Sequence, residues 1–259
     1  MRESATGRSH AVVVLGTAAS VPDAQHDTIG LALCGPGWAV LIDCGGSTLH
    51  KLARFGVDMD EVRGVILTHR HADHLSGLPM LVQGLWLGGR EAPLPIYGPS
   101  EALEVAQELL ELFDLAERDD MFRLEWHSVL LRARRRVLEV EPVRISAAPV
   151  VHGGVETLAL RFDNTASDRT IVFSADTEPC QTLIQLAEGA DLLIHEATGA
   201  LPGHSSPAGA AEVAAEAGVE RLVLIHYPVR GANLESWRRG AAEFPGRVDL
   251  AEDGDIYVL

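Results

Sequence analysis

No apolar run in this 259-residue chain approaches the roughly 18–20 residues that a membrane span needs. Cysteine is scarce. The three thiols, Cys34, Cys44 and Cys180, are scattered and odd in number, which excludes a disulfide framework and fits reduced thiols in a cytoplasmic protein. There is no short internal repeat, no low-complexity tract and no break in composition. One domain spanning 1–259 is therefore expected, long enough for a large core. Basic residues are also in short supply: 21 Lys and Arg against 37 Asp and Glu give a net charge of −16. Such a chain repels a polyanion at long range, which argues against a long RNA as substrate. It does not forbid nucleic acid at a metal site, where bound cations add local positive charge. Arg2, Arg8 and the run from Ala11 to Leu15 imitate a short leader, but the run is Val-rich and only five residues long. It reads as a first strand.

Against these absences one stretch stands out, Thr68-His69-Arg70-His71-Ala72-Asp73-His74-Leu75-Ser76-Gly77. Three imidazoles and a carboxylate fall within six residues. The apolar run Gly64–Leu67 before it reads as a buried strand, and Leu75–Leu87 after it as a helix. The side chains thus sit on a strand-to-helix turn, where neighbours can fan out. Imidazole and carboxylate donors suit Zn²⁺, with Mn²⁺ or Fe²⁺ as alternatives. His69 and His71 can share one metal while Asp73 and His74 address a second. A single-metal or structural site is the rival reading, but structural zinc sites favour cysteine and close all four positions.

The rest of the chain alternates strands and helices. Val12–Leu15, Ile29–Cys34 and Trp38–Ile42 read as strands, the last two joined by the turn Gly35-Pro36-Gly37. Ser47-Thr48 can cap a helix through Phe55. Ser100 can cap an amphipathic helix over 101–115 with Leu103, Ala106, Leu109 or Leu110, and Phe113 on its apolar face. Further helices are expected over 182–188, 207–217 and 234–244, and closing strands over 247–250 and 256–259. The one dense basic run, Arg132 and Arg134-Arg135-Arg136, reads as the solvated face of an edge strand, with a phosphate-contacting patch as the alternative. Asp43, His69, His152, Asp176, His195 and His226 all fall at the ends of predicted strands, so that they can converge at one sheet edge. Two sheets packed face to face with helices outside, a four-layer αββα sandwich, follows from this order.

The motif His69-x-His71-x-Asp73-His74 resembles the signature of the metallo-β-lactamase superfamily, and the resemblance extends from about Ala11 to Leu259. The segments Leu15–Pro22, Ile42-Asp43-Cys44-Gly45, His195-Glu196-Ala197-Thr198 and Gly203-His204-Ser205-Ser206 are most similar to the ribonuclease Z branch. The resemblance implies the same αββα fold and two divalent metal ions. His69, His71 and His152 would hold one metal, and Asp73, His74 and His226 the other. Asp176 would bridge both. Independently of the resemblance, Asp43 is either an acceptor that fixes a ligand imidazole from behind or a turn-forming residue at a strand end. Two cations about 3.5–4 Å apart can lower the pKa of a shared water towards neutrality, and Asp73 can orient the resulting hydroxide. His204 would protonate the leaving group and Glu196 would orient it. A homodimer is expected on resemblance alone.

The chain departs from that branch in three places. His204-Ser205-Ser206 stands where the family has His-Ser-Thr, and Gly46 where it has Glu. His152 and Asp176 are only 24 positions apart, which leaves no room for the long arm that clamps tRNA. A small phosphodiester or the end of a short RNA fits better as substrate. The alternatives are hydrolysis of a carboxylic ester, lactone or sulfate ester on the same metals, or a non-hydrolytic metal-dependent carrier.

Overall fold

A computed structural model describes residues 9–132, 134–230 and 233–259. It divides into two units, 9–16 with 24–129 and 252–258, and 17–23 with 130–251 and 259. The first unit holds β1 (Ala11–Gly16), β2 (Gly30–Gly35), β3 (Trp38–Ile42), α1 (Thr48–Phe55), β4 (Val62–Ile66), α2 (Ala72–Leu75), α3 (Leu78–Leu87), β5 (Leu94–Gly98), α4 (Ser100–Glu111) and β6 (Leu124–Ser128). The second holds β7 (Arg135–Val140), β8 (Val143–Pro149), β9 (Leu158–Asn164), β10 (Arg169–Phe173), α5 (Gln181–Ala187), β11 (Leu192–Glu196), α6 (Pro207–Ala217), β12 (Arg221–Ile225), α7 (Leu234–Gly240) and β13 (Arg247–Leu250). The last strand, β14 (Ile256–Val258), returns to the first unit.

Each unit is built on a seven-stranded sheet, ordered β14-β1-β2-β3-β4-β5-β6 in the first and β13-β12-β11-β10-β9-β8-β7 in the second. Antiparallel pairs occupy one side of each sheet, and three parallel pairs the other: β3/β4, β4/β5 and β5/β6 in the first, β10/β11, β11/β12 and β12/β13 in the second. Parallel strands present their C-terminal ends together, where loops build sites. β3 and β4 lead to Asp43 and His69. β10, β11 and β12 lead to Asp176, Glu196 and His226.

Strand runs such as Ala11-Val12-Val13-Val14-Leu15 are apolar at every position, and all five residues are buried. This is the pattern of a sheet covered on both faces. In the first unit Val13, Leu15, Leu41, Val65 and Leu67 pack with Leu52 of α1, Leu81 and Leu85 of α3 and Leu103, Ala106 and Leu110 of α4. In the second, Val172, Leu193 and Leu222 pack with Leu183 and Leu186 of α5 and Ala210, Val213 and Ala214 of α6. Each such Val or Leu gains about 1.5–3 kcal/mol from burial.

Three expected helices differ. The one over 75–87 breaks at Ser76-Gly77 into α2 and α3. That over 101–115 ends at Glu111, leaving Leu112 and Phe113 exposed. The fourth turn would need Asp114 in helical geometry, but its φ is +55°. The third, over 234–244, stops at Gly240, consistent with glycine's poor helix propensity. Ser47 makes no side-chain cap on α1; its hydroxyl donates to Asp27 Oδ2 instead (2.6 Å). Ser206, by contrast, caps α6 by accepting from Gly209 N, and Gly218 closes it in the left-handed region. The basic run lies at the edge strand β7, as expected. Arg134 pairs with Asp163, and Arg136 and Arg144 both pair with Glu139. Two of its four arginines are thus paired with carboxylates of the same sheet. No helix among the described residues is long and apolar enough to cross a membrane.

Candidate metal centre

In the first unit the turn after β4 is anchored from below by Asp43. This carboxylate is fully buried and sits at φ +58°. Its Oδ1 accepts from Thr68 N (2.7 Å), and its Oδ2 from the Thr68 hydroxyl (2.8 Å) and His74 Nδ1 (2.8 Å). The backbone repeats the connection: Cys44 N donates to His74 O and Gly77 N to Cys44 O, both at 2.7 Å. Strand β3 and the turn are thus clasped together by five hydrogen bonds. The His69 and His71 rings meet edge to face, and the His69 and His74 ring centroids lie 3.9 Å apart. His69 Nε2 lies 3.0 Å from His71 Nδ1, and His74 Nε2 lies 3.9 Å from Asp73 Oδ2.

In the second unit the focus is Asp176, buried behind Ala175, a non-glycine residue at φ +51°. Its two oxygens face different imidazoles, Oδ1 towards His226 Nδ1 (3.5 Å) and Oδ2 towards His152 Nε2 (3.7 Å). These separations are too long for good hydrogen bonds; the spacing between His152 Nε2 and Oδ2 suits two donors that share a metal. Asp176, His204 and His226 each offer a ligand atom within 4.8 Å of the others. Glu196, at the end of β11 and fully buried, accepts from three backbone amides: Thr177 and Ser205 on Oε1 (3.1 and 2.9 Å) and Thr198 on Oε2 (2.8 Å). Its Oε1 also faces His204 Nδ1 at 3.0 Å. The amides hold the carboxylate still, and the carboxylate holds the His204 ring.

The donor chemistry fits metal ions. His74 Nδ1 faces a carboxylate, and His152 Nδ1 faces the Gly203 carbonyl at 2.6 Å. His69 Nδ1 faces the Thr68 hydroxyl (3.1 Å), whose proton is already given to Asp43. His226 Nδ1 faces the Thr198 hydroxyl (2.9 Å), whose proton goes to His226 O. Each neighbour can only accept, so all four imidazoles carry their proton on Nδ1 and keep the Nε2 lone pair. That is the arrangement that outer hydrogen bonds impose on metal-binding histidines. Two nitrogens on one tetrahedral zinc stand about 3.3 Å apart, from Zn–N bonds of about 2.0–2.1 Å. The His69–His71 spacing is close to that value.

The predicted residues therefore fall into two sets, His69, His71, Asp73 and His74 in the first unit and His152, Asp176, Glu196, His204 and His226 in the second. His195 belongs to neither. It is fully buried, its Nδ1 donates to Glu196 O (2.7 Å) and its Nε2 has no hydrogen-bond partner among the described residues; burial pushes its imidazole below the ordinary histidine range. Sequence reasoning missed Thr68, Thr198 and Gly203, the groups that set the tautomers. All three lie inside segments already singled out for their histidines, so adjacency was the available signal. Gly203 contributes only a backbone carbonyl.

A model of the β-lactamase superfamily domain matches residues 39–227. A ribonuclease Z from Methanothermobacter thermautotrophicus is 32% identical over 93% of this chain and 94% of its own. The chain belongs to the metallo-β-lactamase superfamily, on its ribonuclease Z branch. A ribonuclease Z from Mycobacterium bovis is also 32% identical, over 93% of this chain and 95% of its own. Among solved structures, the metallo-β-lactamase fold protein YhfI from Bacillus subtilis matches with a TM-score of 0.81 and 27% identity, covering 96% of this chain and 99% of that one. The short form of human tRNase Z matches with a TM-score of 0.77 and 25% identity, covering 95% and 98%. The two helix-flanked sheets described above are thus those of the metallo-β-lactamase fold.

Proposed function

We propose that the chain is a dinuclear metal-dependent hydrolase with phosphodiesterase chemistry, folded as one domain over 1–259, acting in the cytoplasm on a small phosphodiester or the end of a short RNA. His69, His71 and His152 would hold one metal and Asp73, His74 and His226 the other, with Asp176 as a ligand shared by both. Zinc is the preferred ion, given the imidazole-rich donor set. The observation that carries this reading is Asp176, a buried carboxylate that offers a ligand atom to one group with His152 and to a second with His226, which supports a bridging role. Relatives named ribonuclease Z support phosphodiester chemistry and an RNA substrate.

When bound, two such ions supply an acidified water and neutralise charge developing on phosphorus. The chain's own residues do the rest. Asp43, Thr68, Gly203 and Thr198 keep the imidazoles oriented. Asp73, at the head of α2, orients the attacking water. His204, tied through Nδ1 to Glu196, presents Nε2 as the atom that gives a proton to the leaving oxygen. An alkoxide leaves poorly without that proton, whereas an activated ester or a carried cofactor has no need of it. The His204–Glu196 pair thus favours phosphodiester cleavage over the ester-hydrolase and carrier alternatives. A homodimer is proposed on family grounds.

The test uses metal-loaded protein with a chromogenic bis-aryl phosphodiester and, in parallel, a precursor tRNA bearing a 3′ trailer. Turnover of the small diester without tRNA cleavage is expected. His204→Ala should retain both metals and lose about 10²–10⁴-fold in kcat on a diester with an alkoxide leaving group. Silence on every diester, in protein shown to hold two metals, would overturn the reading.

A further inference from the structure

The second unit carries a groove of about 470 Å³ beside the His226 loop, lined by Ala19, Val21, Thr198, Leu201, Val229 and Arg230 among others. Its walls are mainly aliphatic. Val21 and Leu201 are 54% and 57% exposed, so two large apolar side chains stand open around one hollow, a pattern typical of a ligand site. The position of the hollow is fixed by hydrogen bonds. Thr198 carries the hydroxyl that meets His226 Nδ1. Ala19 N donates to Tyr227 O (3.2 Å), which straps the segment after β1 onto the His226 loop. Leu201 O accepts from His204 N (3.0 Å), so Leu201 and His204 share one turn. The groove therefore lies between the segment that presents His204 and the segment that presents His226.

We propose that this groove binds a flat ring, a nucleobase or an aryl group, carried on the leaving oxygen of the phosphodiester. The inference rests on the phosphodiesterase reading. In that reaction water supplies the oxygen that replaces the leaving oxygen on phosphorus. The leaving oxygen departs with the proton of His204 Nε2, which solvent restores. The group bonded to that oxygen must lie on the His204 side, where Leu201 forms a wall. Aliphatic walls take up a flat ring by burying its faces, and the Arg230 guanidinium at the rim can stack on it. The volume suits one ring system and has no room for a folded RNA body. Such a pocket would give a clampless enzyme its grip on substrate.

Two measurements test the proposal. In the first, a dinucleotide is compared with its analogue that lacks the base on the leaving nucleoside, and with a phenyl ester in that place. The intact protein should favour the base-bearing or phenyl compound by about tenfold in kcat/KM, mainly through KM, and Leu201→Ser or Val21→Ser should bring the ratio near one. A preference for the base alone would identify a nucleotide as the source of the ring; equal preference for phenyl would leave aryl esters as substrates. In the second, adenosine is titrated into metal-loaded protein while the methyl resonances of Val21, Leu201 and Val229 are followed by NMR. Saturable shifts at these methyls, lost in Leu201→Ser, are expected. Turnover of diesters with no base preference and no methyl shifts would overturn the groove and leave the phosphodiesterase reading intact. Absence of turnover on every diester would overturn that reading with its leaving-group role, and the methyl titration would still decide whether the groove takes a ring.

Discussion

Lys51 is the only lysine in the chain, and it is buried. Its ammonium donates to Thr28 O (2.8 Å) and Gly45 O (2.9 Å) and lies 3.7 Å from Asp27 Oδ2. Burial pulls its amine below the ordinary lysine range, against the nearby carboxylates of Asp27 and Asp253. By holding Gly45 O, it fixes the loop that follows Asp43. Lys51→Met leaves two carbonyls without that donor and should cost about 2–4 kcal/mol. The checks are thermal unfolding and the metal content per chain after dialysis, both of which should fall. His195 makes a different prediction. Its folded pKa lies below the ordinary value of 6.5, so beneath that pH the unfolded chain binds a proton that the folded chain refuses. Stability then rises with pH across the window below 6.5 and is lost on acidification through it. His195→Gln should flatten part of that slope; denaturant midpoints at pH 7.5 and 5.5 that fall equally in both proteins would refute this.

At the scale of elements, the centre depends on how closely two loops approach. A Cβ on Gly45 would stand 1.9 Å from Asp73 O, and one on Gly77 2.5 Å from Gly46 O. Only glycine lets the loop after β3 close over the turn that carries Asp73 and His74. Gly45→Ala should push the two apart and break the Cys44–His74 and Gly77–Cys44 hydrogen bonds. Metal affinity should drop by at least about tenfold, as measured by competition with a chelator, while the far-UV circular dichroism stays close to that of the parent. The break between α2 and α3 belongs to the same device. Gly77 N leaves its helix to donate to Cys44 O, and Gly46 N donates to the Ser76 hydroxyl (3.3 Å). Helical periodicity alone could not reveal this, because a tertiary contact claims the backbone groups. The end of α4 is likewise overestimated by apolar spacing, and Phe113 is exposed to solvent.

For the whole molecule, charge is the dominant property. With a net charge of −16 and the Arg134–Arg144 region paired with acidic neighbours, approach of a polyanion is opposed. Proteins that clamp nucleic acid lose affinity as salt rises. Here added salt screens repulsion, so kcat/KM for a short oligonucleotide should stay level or rise between about 50 and 200 mM salt. A steep fall over that range would show a basic track outside the residues named above. The cluster from His69 to His74 was legible because its ligands are nearly contiguous, and a contiguous polar cluster after an apolar strand has little other use. His152, Asp176 and His226 were legible only in company, each following an apolar run. The strand order and the alternation of strands with helices were encoded in local apolar runs and turn residues such as Gly35-Pro36-Gly37. Those features depend on neighbours a few positions apart, and the sequence by itself determined them, together with the donor types and the charge. The tertiary structure alone decided which nitrogen of each imidazole keeps its lone pair, that Asp43 serves both Thr68 and His74, and that Leu201 shares a hollow with Val21. These are contacts between residues tens or hundreds of positions apart, set by how strands pair and loops close, and no local pattern of residues records them.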